Sequence, residues 1–372
     1  MTKPPDLTFT SEQQDLRETV AKFLAAKAPL STQRALLETD SGFDPAVWSQ
    51  LTEQLGLVGL VVPEEYGGLG CGMVELFLVL HEMGRALYSG PYLPTVLAAI
   101  ALLRTGDEAA CRRFLPDIAS GETIATLAWA EADGDWSGAE VATTARKVGD
   151  GWVVDGTKSL VLAVPAADLF LVTARTAAGV GLFAVPAAHP FVHTTVLDAL
   201  DPTRRLGTVR FGAAPAEPLG HCENTAETIA DVLDIAYAAM AAEQSGGTWR
   251  CLEMSTDYAK NRVQFGAAIG TYQAVAHACA DMLLGAEHAR SAAHYAAAVA
   301  ETAEFKLASR VAAAYAAQAF EQTATATIHL HGGIGFTWEH DAHLYYRRAR
   351  SSSLLFCRPD AHLAAIASCA GL

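Results

Sequence analysis

The chain has 372 residues, of which 51% are apolar and 18% charged, and its formal net charge is −15. This length is too great for one small core and predicts two or three domains. The acidic balance excludes a general nucleic-acid-binding surface. No apolar run reaches the roughly 20 residues of a membrane-spanning helix, and the N-terminus lacks a signal-peptide pattern. We therefore expect a cytoplasmic protein without a membrane span.

Residues 1–121 are predicted to form a helical domain. Ser11 and Gln14 match a capping box, and apolar residues follow at helical spacing from Leu16. This first helix is predicted to end near Pro29. Further helices are predicted over 43–55, 74–86, 93–103 and 107–119, with a glycine-rich apolar loop over 56–70.

Residues 122–222 change to short apolar runs separated by turn signals, which is typical of a β-sandwich or barrel-like domain. Asp150-Gly151 and Asp155-Gly156 are predicted as hairpin turns. Residues 223–372 are rich in alanine, whose high helix propensity predicts a four-helix bundle. The expected fold class is therefore mostly α with a central β-domain.

Three motifs stand out along the chain. A P-E-E-Y-G-G-L-G loop begins at Pro63, an R-x-x-F-G-x-x-I-x-x-x-Q pattern begins at Arg262, and an H-G-G-x-G-F-x-x-E pattern begins at His331. In this order and spacing they resemble the acyl-CoA dehydrogenase family. The resemblance covers essentially the whole chain and implies that family's N-terminal α-domain, middle β-domain and C-terminal four-helix bundle.

The resemblance implies FAD as the cofactor, an acyl-CoA thioester as the substrate, and an electron-transfer flavoprotein or similar electron acceptor. In the family, the second and third motifs clasp the adenine and pyrophosphate end of FAD bound to a neighbouring subunit. The cofactor-binding residues implied here are Arg262, Phe265, Tyr272, Gln273, His329, Gly332 and Gly333. An arginine fork suits a pyrophosphate, and glycines allow close backbone approach. The alternative is that Phe265 and Gly332-Gly333 only shape helix ends.

The catalytic base that the family needs is missing from both of its usual positions. A carboxylate removes the α-proton while the flavin takes the β-hydride. Phe356 stands where many members carry this glutamate after the glycine motif, and Ala236 stands at the other position, 26 residues before Arg262. We therefore predict no catalytic residue in this chain. The acids kept as candidates for a relocated base are Asp234, Glu131 and Asp133, whereas Glu243 and Cys357 are weaker candidates.

The segments that bind the flavin ring in the family are also altered. Ala130–Ser137 replaces a T-E-P-x-A-G-S-D pattern, and Leu160–Ala163 replaces a W-I-T-N segment. The half-site for the chain's own flavin thus looks degraded, while the half-site for a neighbour looks intact. The leading hypothesis is the non-base subunit of a heteromer, similar to the α2β2 acyl-CoA dehydrogenases of actinobacterial steroid and lipid catabolism. A homomeric flavoenzyme with a relocated base and a flavin-free scaffold subunit are the alternatives.

Two further expectations concern ligands. The histidine pairs at 329 and 331 and at 340 and 343 lack additional ligands at metal-site spacing, so no metal site is predicted. The acyl group stays open, with a fatty acid and a sterol side chain both compatible with the resemblance.

Overall fold

The computed structural model describes residue 5 and residues 7–132, 134–136, 140–222 and 225–371. The chain divides into two compact units, one made of Met1–Arg34, Met73–Tyr88 and Tyr237–Leu372, the other of Ala35–Gly72 and Ser89–Ala236. The three-domain boundaries at 121/122 and 222/223 stay a prediction. Across the described ranges, no helix combines the length and the apolar character that a membrane crossing requires.

Helices account for most of the described chain, as the sequence predicts. They are α1 Ser11–Lys27, α2 Leu30–Leu36, α3 Pro45–Glu53, α4 Met73–Ala86, α5 Tyr92–Arg104, α6 Glu108–Ala119, α7 Thr225–Asn261, α8 Gln273–Ala298, α9 Phe305–His331, α10 Ala342–Ser352 and α11 Pro359–Cys369. The sequence also predicts helix breaks near residues 266–270, 300–302 and 332–335. In the structure these breaks separate α7 from α8, α8 from α9, and α9 from α10. Helix α2 has no counterpart among the predicted elements, because seven residues are too few to establish a period.

The start of α1 differs by one residue from the prediction. Thr10, not Ser11, is the N-cap: its hydroxyl accepts from the Gln13 backbone at 3.2 Å, and the Gln13 side chain accepts from the Thr10 backbone at 3.0 Å. Both pairs fit the capping-box pattern, so the sequence motif alone does not distinguish them. The Gln13 amide also donates to Glu75 of α4 at 2.7 Å, which favours the observed start.

The central region forms a barrel-like sheet, in agreement with the prediction. Its strands are β1 Ala125–Ala128, β2 Thr144–Val148, β3 Gly151–Leu162, β4 Leu169–Thr176, β5 Gly179–Pro186, β6 Val192–Val196 and β7 Leu206–Leu219. Pairings in the order β2–β3–β7–β5–β4–β2 close a ring, with β1 added to β4 and β6 to β7. Phe170, Phe183 and Phe211 are buried in the core of the ring, and closure leaves few strand edges exposed.

The two predicted Asp-Gly turns are both corrected. The β2–β3 turn consists of Gly149 and Asp150, because Val148 pairs with Gly151. Asp155 and Gly156 lie inside β3 at an irregularity in its pairing with β7. Gly156 has φ +146°, and a Cβ there would stand 2.7 Å from the Thr143 Cα. The Asp-Gly pair therefore marks a bulge, where the Asp155 carboxylate accepts from the Ala213 backbone at 3.0 Å.

In the first unit, α4 and α7 cross with their backbones nearly in contact. A Cβ at Gly84 would lie 1.9 Å from the Glu243 carbonyl oxygen, and one at Gly246 would lie 1.8 Å from the His81 carbonyl oxygen. Beside this crossing, the His81 Nδ1 lies 2.8 Å from the Ser245 hydroxyl. The absence of side chains at the two glycines therefore sets the distance between the helices.

We expect Gly84→Ala and Gly246→Ala each to lower the free energy of unfolding by at least about 2 kcal/mol, because the added methyl groups meet backbone that cannot yield. Gly285→Ala is the matched control, since a Cβ at this α8 position meets only ordinary contacts at 3.7 Å or more. That control is expected to gain up to about 1 kcal/mol from helix propensity. Urea unfolding of the three variants measures the difference. Equal stability of Gly84→Ala and wild type would contradict the close crossing.

Candidate functional site

A short hairpin between α7 and α8 presents Phe265 to solvent. Strands β8 Val263–Gln264 and β9 Ala267–Ala268 pair across the turn Phe265-Gly266. Both turn residues have positive φ, 52° and 81°, the geometry of a tight hairpin turn. This conformation costs a phenylalanine on the order of 1 kcal/mol, and yet its side chain is 94% exposed. A strained aromatic with so little internal contact indicates a surface used by something outside this chain.

Arg262 follows the last residue of α7 and has a fixed backbone. Its N–H donates to the Tyr258 carbonyl at 2.8 Å, and its carbonyl accepts from the Ile269 N–H at 2.8 Å. The residue itself is exposed, and its guanidinium forms no salt bridge within the described ranges. The backbone bonds therefore fix the point at which the side chain leaves the chain, and its exposed positive charge is available to an anion.

Tyr272 and Gln273 follow the hairpin at the start of α8, where Tyr272 is the N-cap. The Tyr272 hydroxyl donates to the Gln264 carbonyl at 2.9 Å, and its ring meets the Phe265 ring edge-on at 6.4 Å between centroids. Gln273 is the first residue of α8 and is exposed. The structure thus brings Arg262, Phe265, Tyr272 and Gln273 together on one short segment, and their role in binding a cofactor stays a prediction.

The end of α9 provides an open stretch of backbone. Gly332 has φ 62° and ψ −139°, a conformation open essentially to glycine alone, and its N–H donates to the His329 carbonyl. At Gly333, a Cβ would meet no described atom within 4 Å. Nothing in the described chain therefore requires Gly333 to lack a side chain. His329 is exposed on the last turn, whereas His331 is buried.

Two contacts hold the ends of α7 and α9 side by side. The Tyr258 ring stacks on the His331 ring with centroids 4.3 Å apart, and the Ser255 hydroxyl donates to the Thr327 hydroxyl at 3.0 Å. The His331 Nδ1 lies 2.7 Å from the Thr327 carbonyl, so this nitrogen carries the proton. The two predicted groups of cofactor-binding residues thus share one end of the bundle. Tyr258, four residues before Arg262, is not among the predicted site residues.

Neither of the two usual base positions carries a carboxylate. Phe356 is 3% exposed and Ala236 is fully buried. Tyr237, next to Ala236, packs its ring against the edge of His362 at 4.6 Å, and the Arg310 guanidinium stands 5.1 Å from the Tyr237 ring centroid. These positions are occupied by packed apolar and aromatic side chains instead.

His362 and Cys357, beside these positions, are electrically neutral near pH 7. Burial lowers the pKa of His362 to about 4, with the Arg310 charge acting in the same direction. Within the described ranges, the His362 Nδ1 has no hydrogen-bond partner. Burial also raises the pKa of the Cys357 thiol, which argues against its use as a base. In the same ranges, no three His, Cys, Asp or Glu side chains form a metal-sized group.

Of the acidic residues considered as a relocated base, two form buried ion pairs. Glu131 accepts from the buried Lys158 ammonium at 2.5 Å, and burial lowers the pKa of Lys158. Glu243 accepts from Arg348 at 2.8 Å in a second buried pair. Removing one partner of a buried ion pair is strongly destabilising, so both carboxylates have a structural role. Asp234 is buried on α7, and Asp133 lies outside the described residues.

The altered flavin-ring segment is apolar in the structure as well. Val161 and Leu162 at the end of β3 are buried, and Leu160 packs over Gly134, where a Cβ would lie 3.6 Å from the Leu160 Cδ1. Leu160 and Ala163 have positive φ of 52° and 51°. This backbone therefore keeps an unusual local shape, but it carries no hydroxyl or amide side chain at Leu160–Ala163.

Comparisons with known proteins agree with this arrangement. Residues 10–122 match the family description "Acyl-CoA dehydrogenase, N-terminal domain", and residues 227–367 match "Acyl-CoA dehydrogenase, C-terminal domain". The chain belongs to the acyl-CoA dehydrogenase family. Among its relatives, acyl-CoA dehydrogenase IpdE2 of Mycobacterium tuberculosis (strain ATCC 25618 / H37Rv) is 36% identical over 355 residues, which cover 95% of each chain.

Two solved structures of this family are similar over nearly the whole chain. A variant of the Tcur3481-Tcur3483 steroid ACAD aligns with a TM-score of 0.86 and 31% identity, covering 96% of this chain and 97% of that one. The ChsE4-ChsE5 complex from Mycobacterium tuberculosis aligns with a TM-score of 0.88 and 29% identity, covering 98% of each chain. The expected family and fold class are confirmed. The family is one of oxidoreductases acting on CH–CH bonds and indicates FAD as the cofactor.

We expect His362→Phe to raise the free energy of unfolding by about 1 kcal/mol at pH 7, because it removes a buried unpaired nitrogen. The folded-state pKa of His362, about 4, lies below its ordinary value of 6.5. The unfolded chain therefore takes up this proton first, and wild type loses stability as pH falls from 6.5 towards 4. The variant's advantage should grow over that range. Denaturant unfolding at several pH values measures it, with exposed His329→Phe as the control, and a constant difference would contradict the burial.

Proposed function

We propose that this chain is one subunit of a hetero-oligomeric, FAD-dependent acyl-CoA dehydrogenase and completes the flavin site of a second, base-bearing chain. The observation that carries the proposal is a contrast within the first unit. The exposed residues Arg262, Phe265 and Gly333 keep features that serve no internal packing, while Phe356 fills a family base position as buried core. One similar structure is named as the ChsE4-ChsE5 complex and the other carries the two-part name Tcur3481-Tcur3483, which supports a mixed assembly.

The residues at the ends of α7 and α9 fit the dinucleotide part of FAD. The Arg262 guanidinium suits a pyrophosphate, because its planar fork pairs with two oxygens at once. The uncovered backbone at Gly332-Gly333 allows close approach, and the Phe265 and Tyr272 rings offer apolar faces beside it. In a chain of net charge −15, such a local cation is what attracts an anion.

The division of labour follows from which groups each chain supplies. FAD, when bound, accepts the hydride from the β-carbon of the acyl-CoA. The partner chain supplies the carboxylate that removes the α-proton, because neither Phe356 nor Ala236 can accept one. This chain binds and orients the dinucleotide. We propose an electron-transfer flavoprotein as acceptor, and a steroid-derived or fatty acyl-CoA as substrate, a class to which the word "steroid" in the name of one similar structure points.

Expression of the chain alone and together with an acyl-CoA dehydrogenase-like partner tests the proposal. We expect the chain alone to be colourless and the co-purified complex to show flavin absorbance, with one FAD per pair of chains. A yellow, fully active assembly of this chain alone would contradict the proposal and favour a homomeric flavoenzyme. A stable but colourless complex would favour the flavin-free scaffold.

Arg262→Ala is expected to weaken FAD binding by the co-expressed complex roughly 10- to 100-fold, which corresponds to one lost charge-assisted bond of about 1.5–3 kcal/mol. Gly333→Ala should weaken FAD binding without lowering the stability of the chain alone, because the added methyl meets no described atom. FAD release followed by flavin fluorescence provides the measurement. Exposed Arg146→Ala on β2 is the matched control. If both test variants bind FAD within twofold of the wild-type affinity, these residues do not form an FAD half-site.

If the base belongs to the partner, Asp234→Asn and Asp133→Asn should leave single-turnover flavin reduction in the complex within about twofold of wild type. Loss of a true general base costs roughly 10²- to 10⁴-fold. Stopped-flow flavin bleaching with acyl-CoA distinguishes the two ranges, and substitution of the partner's own candidate glutamate is the positive control. A hundredfold slower reduction in either variant would identify a relocated base in this chain.

A further inference from the structure

Arg34, on the last turn of α2, uses all three guanidinium nitrogens on one distant segment. Its Nε donates to the Asp341 carboxylate at 2.6 Å, its Nη1 to the Trp338 carbonyl at 2.6 Å, and its Nη2 to the His340 carbonyl at 2.7 Å. The Arg34 side chain is only 24% exposed. Charge-assisted bonds of this kind are the stronger ones in proteins, so Arg34 fixes residues 337–341 in a single conformation.

Besides the bonds from Arg34, residues 337–341 are held by hydrogen bonds to close chain neighbours. The Thr337 N–H and hydroxyl donate to the Ile334 carbonyl at 3.0 and 2.9 Å, and the Ala342 N–H donates to the His340 Nδ1 at 3.1 Å. Residues 337–341 connect the 3₁₀ turn Gly332–Phe336 to α10 and contain no helix or strand hydrogen-bond ladder. Trp338 is 60% exposed, and its ring contacts the Arg347 guanidinium at 4.9 Å and the His343 ring at 4.5 Å. The bonds from Arg34 differ from these local ones because they tie the segment to a distant part of the chain.

A continuous series of contacts joins this segment to the proposed half-site. The His340 ring lies 4.3 Å from the His331 ring, which stacks on Tyr258 at 4.3 Å. The Tyr258 carbonyl in turn accepts from the Arg262 N–H at 2.8 Å. Gly332 and Gly333 follow His331 directly. A displacement of His340 would therefore shift both groups of residues assigned to FAD, the one around Arg262 and the one at Gly332-Gly333.

We propose that Arg34 is a positioning residue of the flavin half-site: by binding residues 337–341 it holds the Tyr258–His331–His340 stack, and through it Arg262 and the backbone at Gly332-Gly333. The inference rests on the proposed function, since it assigns a purpose to the same half-site. Arg34 itself acts through other residues and contacts no reacting group.

The chemistry of the Arg34 guanidinium predicts the relative size of the effects of different substitutions. A planar guanidinium reaches three acceptors in different directions, whereas a lysine ammonium is a single point at the end of a flexible stem. Arg34→Lys should therefore rescue only part of the effect of Arg34→Ala. Asp341→Asn keeps an acceptor oxygen but removes the charge, so we expect a milder effect than that of Arg34→Ala.

Two readouts test the proposal, and the first needs no flavin. In the chain alone, Arg34→Ala should speed amide hydrogen exchange in residues 332–342 at least tenfold, while the urea midpoint changes little. In the co-expressed complex, the same variant should weaken FAD binding at least tenfold, while size-exclusion chromatography shows that the complex still forms. Arg34→Lys should give intermediate values in both experiments. Asp341→Asn provides the same two readouts should Arg34→Ala fail to fold.

Arg205→Ala is the matched control, because Arg205 likewise donates to two backbone carbonyls, those of Leu37 and Thr39, at 2.8 and 2.7 Å. It should loosen its own segment and leave FAD affinity unchanged. If amide hydrogen exchange in residues 332–342 is unchanged in Arg34→Ala, Arg34 does not hold this segment and the proposal is overturned. Faster exchange with wild-type FAD affinity, while Arg262→Ala releases FAD, would overturn only the link to the flavin. Retention of FAD by both variants would instead reject the half-site of the proposed function.

Discussion

The close crossing of α4 and α7 is the constraint on which the first unit depends. Gly84 and Gly246 bring the two backbones within contact distance, which no larger residue would allow. Beside the crossing, the buried Glu243–Arg348 pair joins α7 to α10. Such a pair adds little net stability, but removing one partner of a buried pair is strongly destabilising, so the pair opposes other packings of the helices. The direction of α7, and hence the place where Arg262 leaves it, is fixed by these contacts.

The candidate half-site is built from helix ends, where the regular hydrogen-bond pattern stops. The hairpin after α7 and the glycines after α9 both contain backbone in positive φ, at Phe265 and at Gly332. Such conformations persist only when the surrounding structure holds them. Here the stack of Tyr258 on His331 and the bonds from Arg34 do so. A site with these supports is preorganised, because little of it must be ordered when a ligand binds.

Much of this arrangement could be predicted from the sequence, and the rest depends on contacts between distant residues. The order of helices and strands follows from periodicity and from alanine and glycine placement, which are local signals. The cap at Thr10 and the bulge at Asp155 escape prediction because one short pattern fits two local structures. Arg34 carries no motif, and its partners lie some 300 residues away in the chain. Only the packed fold brings them together.

The contrast between Phe356 and Phe265, both in the first unit, favours selection for a shared task over simple decay. A base position lost by chance would tend to leave a gap or an unpaired group, but Phe356 and Tyr237 are packed and buried there. Their burial contributes to stability, at roughly 25 cal/mol per Å² of apolar surface. Phe265 does the opposite, since it costs backbone strain and buries almost nothing in this chain. A feature that lowers stability is expected to persist where function requires it. Under the proposed function, Phe265 contacts another molecule, and at Phe356 apolar packing stands where the family carries its base.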